Sequence, residues 1–215
     1  MSSQTREKLV AAAMGLFATK GYGGTSIADI LHATGVNAGS LYYFFPGKQD
    51  LLLAVLDAYR AGIGPMLLEP AWRGVDDPIE RVFALLARYR LALQSTDCTY
   101  GCPIGSLALE IHEPDPAVRK RLEANFDAWI DAIEQCLVEA GPRIPAHLDR
   151  RALATLVLTT MEGGVMLSRT DRSLDAFDQA VGVLRALLDP GHTHGGRVPT
   201  RSRQRVRASR GRRSE

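Results

Sequence analysis

Between Thr25 and Lys48 the chain reads TSIADILHATGVNAGSLYYFFPGK, and this stretch constrains the fold more than any other. Ser26 offers a hydroxyl cap and Asp29 follows three residues on, the signature of a helix start. Ile27, Ile30 and Leu31 form one apolar stripe at helical spacing. Gly35 stands where that helix must stop, in a tight turn that needs no Cβ. Val36 can bury under the turn. Asn37 is placed to cap a second short helix, expected from Ala38 to about Phe44. Two short helices joined by a glycine turn make a helix-turn-helix, a unit whose second helix lies in the major groove of DNA.

The remainder reads as helix after helix. Apolar residues recur at helical spacing over residues 5 to 20, 48 to about 68, 77 to 95, 115 to 140, 149 to 170 and 173 to 188. A short helix is expected from Pro103 to His112. Pro65 is expected to kink or end the fourth helix. Loops fall at Pro70, at residues 74 to 78, at Gly141-Pro142 and at Pro190-Gly191. There is no alternating strand pattern and no internal repeat. The expectation is an all-α protein of about nine helices. A three-helix unit fills residues 1–47, a larger helical domain 48–189, and a tail 190–215.

Composition sets limits on this picture. Of 215 residues, 46% are hydrophobic and 23% charged, as in an ordinary water-soluble domain. No apolar run approaches the ~18 to 20 residues of a membrane span, and Met1 to Val10 has no signal-peptide character. Three cysteines fit a reducing compartment better than a disulfide framework. Together these point to the cytoplasm and to no membrane partner. The formal net charge is +2, yet residues 190–215 hold eight Arg and one Glu, or +7. The first 189 residues therefore carry 2 − 7 = −5. The tail is too poor in large apolar residues to offset its ordering entropy, so disorder is expected there. Its arginines can pair with phosphates irrespective of base sequence.

Tyr42, Tyr43, Phe44 and Phe45 follow one another on the second short helix. Four neighbours cover its whole circumference, so some must point outward. Leu41 and Phe45, four apart, are the expected core pair, leaving Tyr42, Tyr43 and Phe44 on the surface. An exposed tyrosine offers an apolar face for a thymine methyl and a hydroxyl for phosphate. Gly39 lets the backbone approach DNA. Thr25 and Ser26 can bind phosphate at the start of the helix they cap. The DNA-contacting set is thus expected to be Thr25, Ser26, Asn37, Ala38, Gly39, Ser40, Tyr42, Tyr43 and Phe44, while Lys48 by itself reads as a solvated charge at a helix start.

Residues 5 to 60 resemble the DNA-binding domain of the tetracycline-repressor (TetR) family of bacterial transcription regulators. The carriers are Leu16 to Tyr22, Thr25 to Ile30, Gly35-Val36 and Gly39 to Lys48, in matching order and spacing. The resemblance implies that Lys48 grips phosphate just after the recognition helix. Ala38 stands where many members carry Lys or Arg, and Phe44 where many carry His; both changes remove polar contacts with DNA.

The resemblance also implies a ligand-responsive regulator, most readily a repressor. It would act as a homodimer on palindromic operator DNA and be released by a small apolar or aromatic effector. Gly101 to Glu110 is similar to the segment that forms the sixth helix beside the ligand cavity in one group of the family. Candidate ligand contacts are Cys102, Leu109, Glu110, Phe126, Trp129, Met161 and Met166. Glu110 reads first as a plain surface residue, and Phe126 and Trp129 first as core. Gly163-Gly164 inside a helix costs about 1 kcal/mol per glycine, which suggests close approach at a subunit interface. In this family the eighth and ninth helices form that interface, so Gly163, Gly164, Phe177, Val181 and Leu184 are its candidates.

Nothing suggests catalysis. There is no nucleophile elbow, no phosphate-binding glycine loop and no metal-ligand pair at helical spacing. Cys98 and Cys102 lack a second ligand pair for zinc and read as buried thiols or as a thiol sensor. No cofactor is implied. Two rival readings are a non-specific nucleic-acid binder driven by the tail and a helical enzyme or carrier.

Overall fold

The computed structural model describes residues 3–189. The segment 190–215, with its expected disorder and its arginines, lies outside the described residues. Among the described residues there are nine α-helices and no strand. They are α1 Ser3–Lys20, α2 Ile27–Thr34, α3 Ala38–Phe44 and α4 Lys48–Trp72. Then follow α5 Pro78–Ser95, α6 Pro103–Glu110, α7 Pro116–Glu139, α8 Arg150–Asp171 and α9 Asp175–Leu188.

The helix ends follow the chemistry of their caps. Ser26 Oγ accepts from the Asp29 N–H at 3.0 Å, and Asp29 Oδ2 accepts from the Ser26 N–H at 2.8 Å. Both orphan donors of the α2 terminus are satisfied by this reciprocal box. Gly35 ends α2 at φ 65°, a left-handed conformation that disfavours any Cβ. Asn37 Oδ1 accepts from the Ser40 N–H at 2.8 Å and starts α3. Asp77, Asp115 and Asp149 cap α5, α7 and α8 in the same manner.

Of the two expectations for Pro65, an end to the fourth helix does not hold, nor does a stop near Leu68. Residues Ile63–Leu68 widen into a π-helical turn, and the helix runs on to Trp72. The wider turn accommodates the proline, whose ring and missing N–H an α-turn tolerates poorly. Lys48–Trp72 is also apolar enough, with mean hydropathy 1.5 over its best 18-residue window, to pass a membrane-span test by composition. The sequence reading overlooked this run. Its Leu51, Leu52, Val55 and Leu56 are buried inside the protein, and it carries Asp57 and Arg60 in its middle turns. One face of the helix therefore packs in the core.

That helix ties two packed regions together. On one side Leu9, Ala13 and Phe17 of α1 close over Ile30, Leu41, Phe45 and Leu51. On the other, α5, α7, α8 and α9 bury Ile79, Leu86, Trp129, Ile133, Val157 and Phe177. Each such side chain contributes about 1.5–3 kcal/mol by leaving water. Asn125 of α7 pins the two together: its Nδ2 donates to the Leu56 carbonyl at 3.0 Å and to the Arg121 carbonyl at 2.9 Å.

Candidate DNA-reading surface and regulatory cavity

The α3 helix presents a sharply divided surface. Leu41 and Phe45 are buried, whereas Tyr42 is 52% and Tyr43 69% exposed. Phe44 is half-buried and meets the Tyr43 ring edge-on at 5.0 Å. Ala38 and Gly39 are open to solvent beside the tyrosines. The result is a flat aromatic and backbone surface with little charge. It suits contacts to thymine methyls, sugars and phosphates better than bidentate base recognition.

Several residues expected to contact DNA serve the fold instead. Thr25 is 1% exposed and its Oγ1 donates to the Gly21 carbonyl at 2.7 Å, so it braces the α1–α2 loop. Ser40 is buried. The side-chain oxygens of Ser26 and Asn37 serve as caps, although both residues face solvent. Lys48 does not project freely, because its Nζ sits 4.2 Å from the centroid of the Tyr22 ring. A cation over an aromatic face is held by a modest attraction.

Tyr22 belongs to a loop with a second anchor. Glu110, the last residue of α6, accepts from the backbone N–H of Tyr22 at 2.8 Å and of Gly23 at 2.5 Å. Gly21, at φ 78°, turns the chain so that these amides converge. A Cβ on Gly21 would approach Glu110 Oε2 to 2.9 Å. Glu110 read as a surface residue or a ligand contact; it holds the loop into the helix-turn-helix. Sequence could not show this, because the partners are two main-chain amides 88 and 87 positions away.

Beside this junction α6, α7 and α8 line a solvent-open cavity of about 530 Å³, within the range of small-molecule sites. Cys102, Leu109, Phe126 and Met166 line it as expected. Trp129 and Met161 do not. They are buried together against Leu86, Ile133 and Leu158 in the helical core. The charged residues that sequence reading missed are Glu162 and Arg169 of α8 and Arg172 just past its end. Their spacing on one helical face was legible, but only the position of α6 opposite makes that face a cavity wall.

The electrostatics of the inner wall are set by burial. Cys102, at the start of α6, has its thiol pushed up to about 12 by burial and by the neighbouring Glu162 carboxylate. It stays a neutral thiol, which speaks against ready reaction with oxidants or electrophiles. Burial also raises Glu162 above the ordinary carboxylate range, an effect its hydrogen bond with Cys102 partly offsets. Tyr59, Tyr89 and Tyr100 surround the same thiol and are likewise raised, chiefly by burial.

Residues 9–55 match the model for the bacterial regulatory proteins of the tetR family, and residues 78–182 match the LmrA/YxaF-like transcriptional regulator C-terminal domain. An uncharacterised helix-turn-helix regulator of Mycobacterium tuberculosis is 33% identical over 190 residues, covering 85% of this chain and 93% of the relative. The chain belongs to the TetR family. The LmrA regulator of Bacillus subtilis is 29% identical, covering 79% of this chain and 88% of LmrA. A TetR regulator structure from Chloroflexus aurantiacus superposes at TM-score 0.71 with 30% identity, over 84% of this chain and 92% of that one. The regulatory protein TetR from Rhodobacter sphaeroides shares the fold at TM-score 0.76 and 24% identity, over 86% and 99%. These relatives are transcriptional regulators and not enzymes, and so is this chain.

In this TetR-family chain the candidate interface residues divide. Phe177 is 1% exposed and Leu184 also buried, both packed inside the protomer. Gly164 is buried as well, because a Cβ there would come within 2.8 Å of the Phe177 ring. The glycine serves close packing of α8 on α9 within one chain. None of the three is available to a partner. Val181 is half-buried, and Gly163 has open space beside it. The large apolar groups left exposed on these helices are Leu156, Met166 and Leu167 of α8, Met166 lying on the cavity, and Val183 and Leu187 of α9.

Proposed function

We propose that the chain is a cytoplasmic, homodimeric repressor that leaves a palindromic operator when a small, largely apolar molecule fills the α6–α8 cavity. The observation that carries this reading is the Glu110 contact. One short helix lines the cavity with Cys102 and Leu109 and ends in the carboxylate that holds the Tyr22 and Gly23 amides. A ligand that shifts α6 must move that carboxylate, and with it the loop leading into α2 and α3. Recognition helices of a dimer fit successive major grooves only about 34–36 Å apart. Moving operator occupancy from ~99% to ~1% needs about 5.5 kcal/mol of preference for the released geometry.

The DNA contacts proposed are Ala38, Gly39, Tyr42, Tyr43 and Phe44, with Lys48 and the α2 terminus at Ser26 on the backbone. The self-association surface is drawn from Leu156, Gly163, Leu167, Val181, Val183 and Leu187. Exposed leucines at positions 156 and 167, eleven apart, repeat on one side of α8. Such a stripe favours burial against a second copy.

The test combines assembly with DNA binding. The wild-type chain should elute as a dimer in light-scattering chromatography and protect a two-fold symmetric site in footprinting. Val183→Glu with Leu187→Glu should yield monomers that melt normally and bind the same site at least a hundredfold more weakly. Monomers that retain full operator affinity would overturn the dimer reading.

A further inference from the structure

Glu162 and Arg169 both face the cavity from α8. They are seven residues apart, two helical turns, so their Cα atoms are separated by about 10 Å along the axis. No ion pair joins them, and neither has a salt-bridge partner among the described residues. Glu162 Oε1 is buried without a hydrogen-bond partner. Arg172, the other cation on the wall, already donates to the Cys98 carbonyl at 3.1 Å.

The opposite wall is cut away at these two points. Gly105 of α6 faces Glu162, and any Cβ there would overlap the carboxylate. Gly101 faces Arg169, where a Cβ would stand 2.8 Å from Nη1. Both charged heads are thus accommodated by bare backbone. The rest of the lining is largely apolar, from Leu109, Phe126, Val165 and Met166, with Ser106 and Thr170 as its polar members.

We propose that the cavity takes an elongated zwitterion, with a cationic nitrogen at Glu162, an anionic group at Arg169 and an apolar body between. A wholly apolar ligand would bury Glu162 Oε1 without a donor, which is unfavourable. A simple lipophilic cation would satisfy Glu162 and meet repulsion from Arg169. A simple organic anion would do the reverse. Cys102 cannot supply a compensating charge, since its thiol is neutral. A guanidinium at the rim matches a carboxylate or phosphate in a two-pronged geometry. The assignment rests on the cavity being the effector site.

The experiment uses the full chain with 8-aminooctanoic acid, whose termini are about 10 Å apart when extended, the span of two helical turns. Octylamine and octanoic acid serve as single-ended controls, and binding is followed by calorimetry. The zwitterion should bind at least tenfold more tightly than either control. Glu162→Gln should lower its affinity at least tenfold and leave octanoic acid bound as well as before or better, its repulsion removed. Arg169→Gln should lower it similarly and leave octylamine bound as well as before or better. Equal binding of all three compounds to the wild type, or no binding by any, overturns the proposal without recourse to a variant. So does a zwitterion affinity that survives both substitutions. Operator release is measured in parallel. A zwitterion that binds by these criteria but leaves the operator occupied supports the ligand assignment and refutes the regulatory one. Release by octanoic acid, with no preference for the zwitterion, does the opposite.

Discussion

Glu110 accepts a 2.8 Å hydrogen bond from the backbone N–H of Tyr22, joining the helix that lines the cavity to the loop that enters the helix-turn-helix. The ring of the same tyrosine carries the Lys48 ammonium at 4.2 Å, beside the end of the recognition helix. A single residue of the loop is therefore gripped by its backbone from one side and by its ring from the other. Both grips are solvent-accessible, so each can be released at modest cost.

Glu110→Ala should weaken operator binding by about 1 kcal/mol, with little loss of stability, because the freed amides return to water. The same substitution should blunt release by any cavity ligand. Mobility-shift titration beside a thermal melt checks this. A melting temperature lowered by more than ~8 °C, about 2 kcal/mol or more for a chain of this size, would mean that Glu110 holds the fold together and not merely the loop.

Tyr42→Ala should cost about 1–3 kcal/mol of operator affinity, the range for a good contact near a base. Its side chain is half exposed, so the melting temperature should barely move. Leu41→Ala, one position earlier, should instead cost about 2–5 kcal/mol of stability through the cavity it leaves. If Tyr42→Ala destabilised the chain as Leu41→Ala does, the division of the two α3 faces would be wrong.

Asp29 makes the stability of α2 pH-dependent. Hydrogen bonds from the Ser26 hydroxyl and amide, then from Lys20, hold its carboxyl well below the ordinary carboxylate range. The folded group is the stronger acid, so as pH falls the unfolded chain takes up the proton first. The stabilisation is complete above about pH 4, the ordinary carboxylate value, and drains away as pH falls toward the lowered one. Asp29→Asn should therefore unfold at lower urea concentration than wild type at about pH 7, with the gap closing in acid. A gap that stayed constant with pH would show that charge at Asp29 does not contribute.

The two glycines of α8 should respond in opposite directions. Gly163→Ala meets open space and should stabilise the helix by about 0.5–1 kcal/mol in the monomeric Val183→Glu, Leu187→Glu background. Gly164→Ala forces a methyl group into the Phe177 ring and should destabilise by about 1–3 kcal/mol. Chemical denaturation of each variant in that same background distinguishes them. Equal effects would place Phe177 elsewhere.

The helix-turn-helix was legible in the sequence because its determinants are local. Ser26 with Asp29, Gly35 and Asn37 each act within three or four residues, and all four perform as their spacing predicts. The same holds for Leu41 and Phe45, whose four-residue separation alone places them on one face. Thr25 and Ser40 were misjudged because a hydroxyl near a helix start suits a phosphate and a main-chain carbonyl equally well. Only packing decides which it meets. Trp129, Met161, Phe177 and Leu184 carry no mark that separates core from cavity or interface, since apolar burial has no direction. Glu110, Glu162 and Arg169 gained their roles from α6 alone. Its position places one carboxylate on two distant amides and leaves another carboxylate and a guanidinium facing a cavity. Such contacts link residues far apart in the chain, and no periodicity within either segment encodes them.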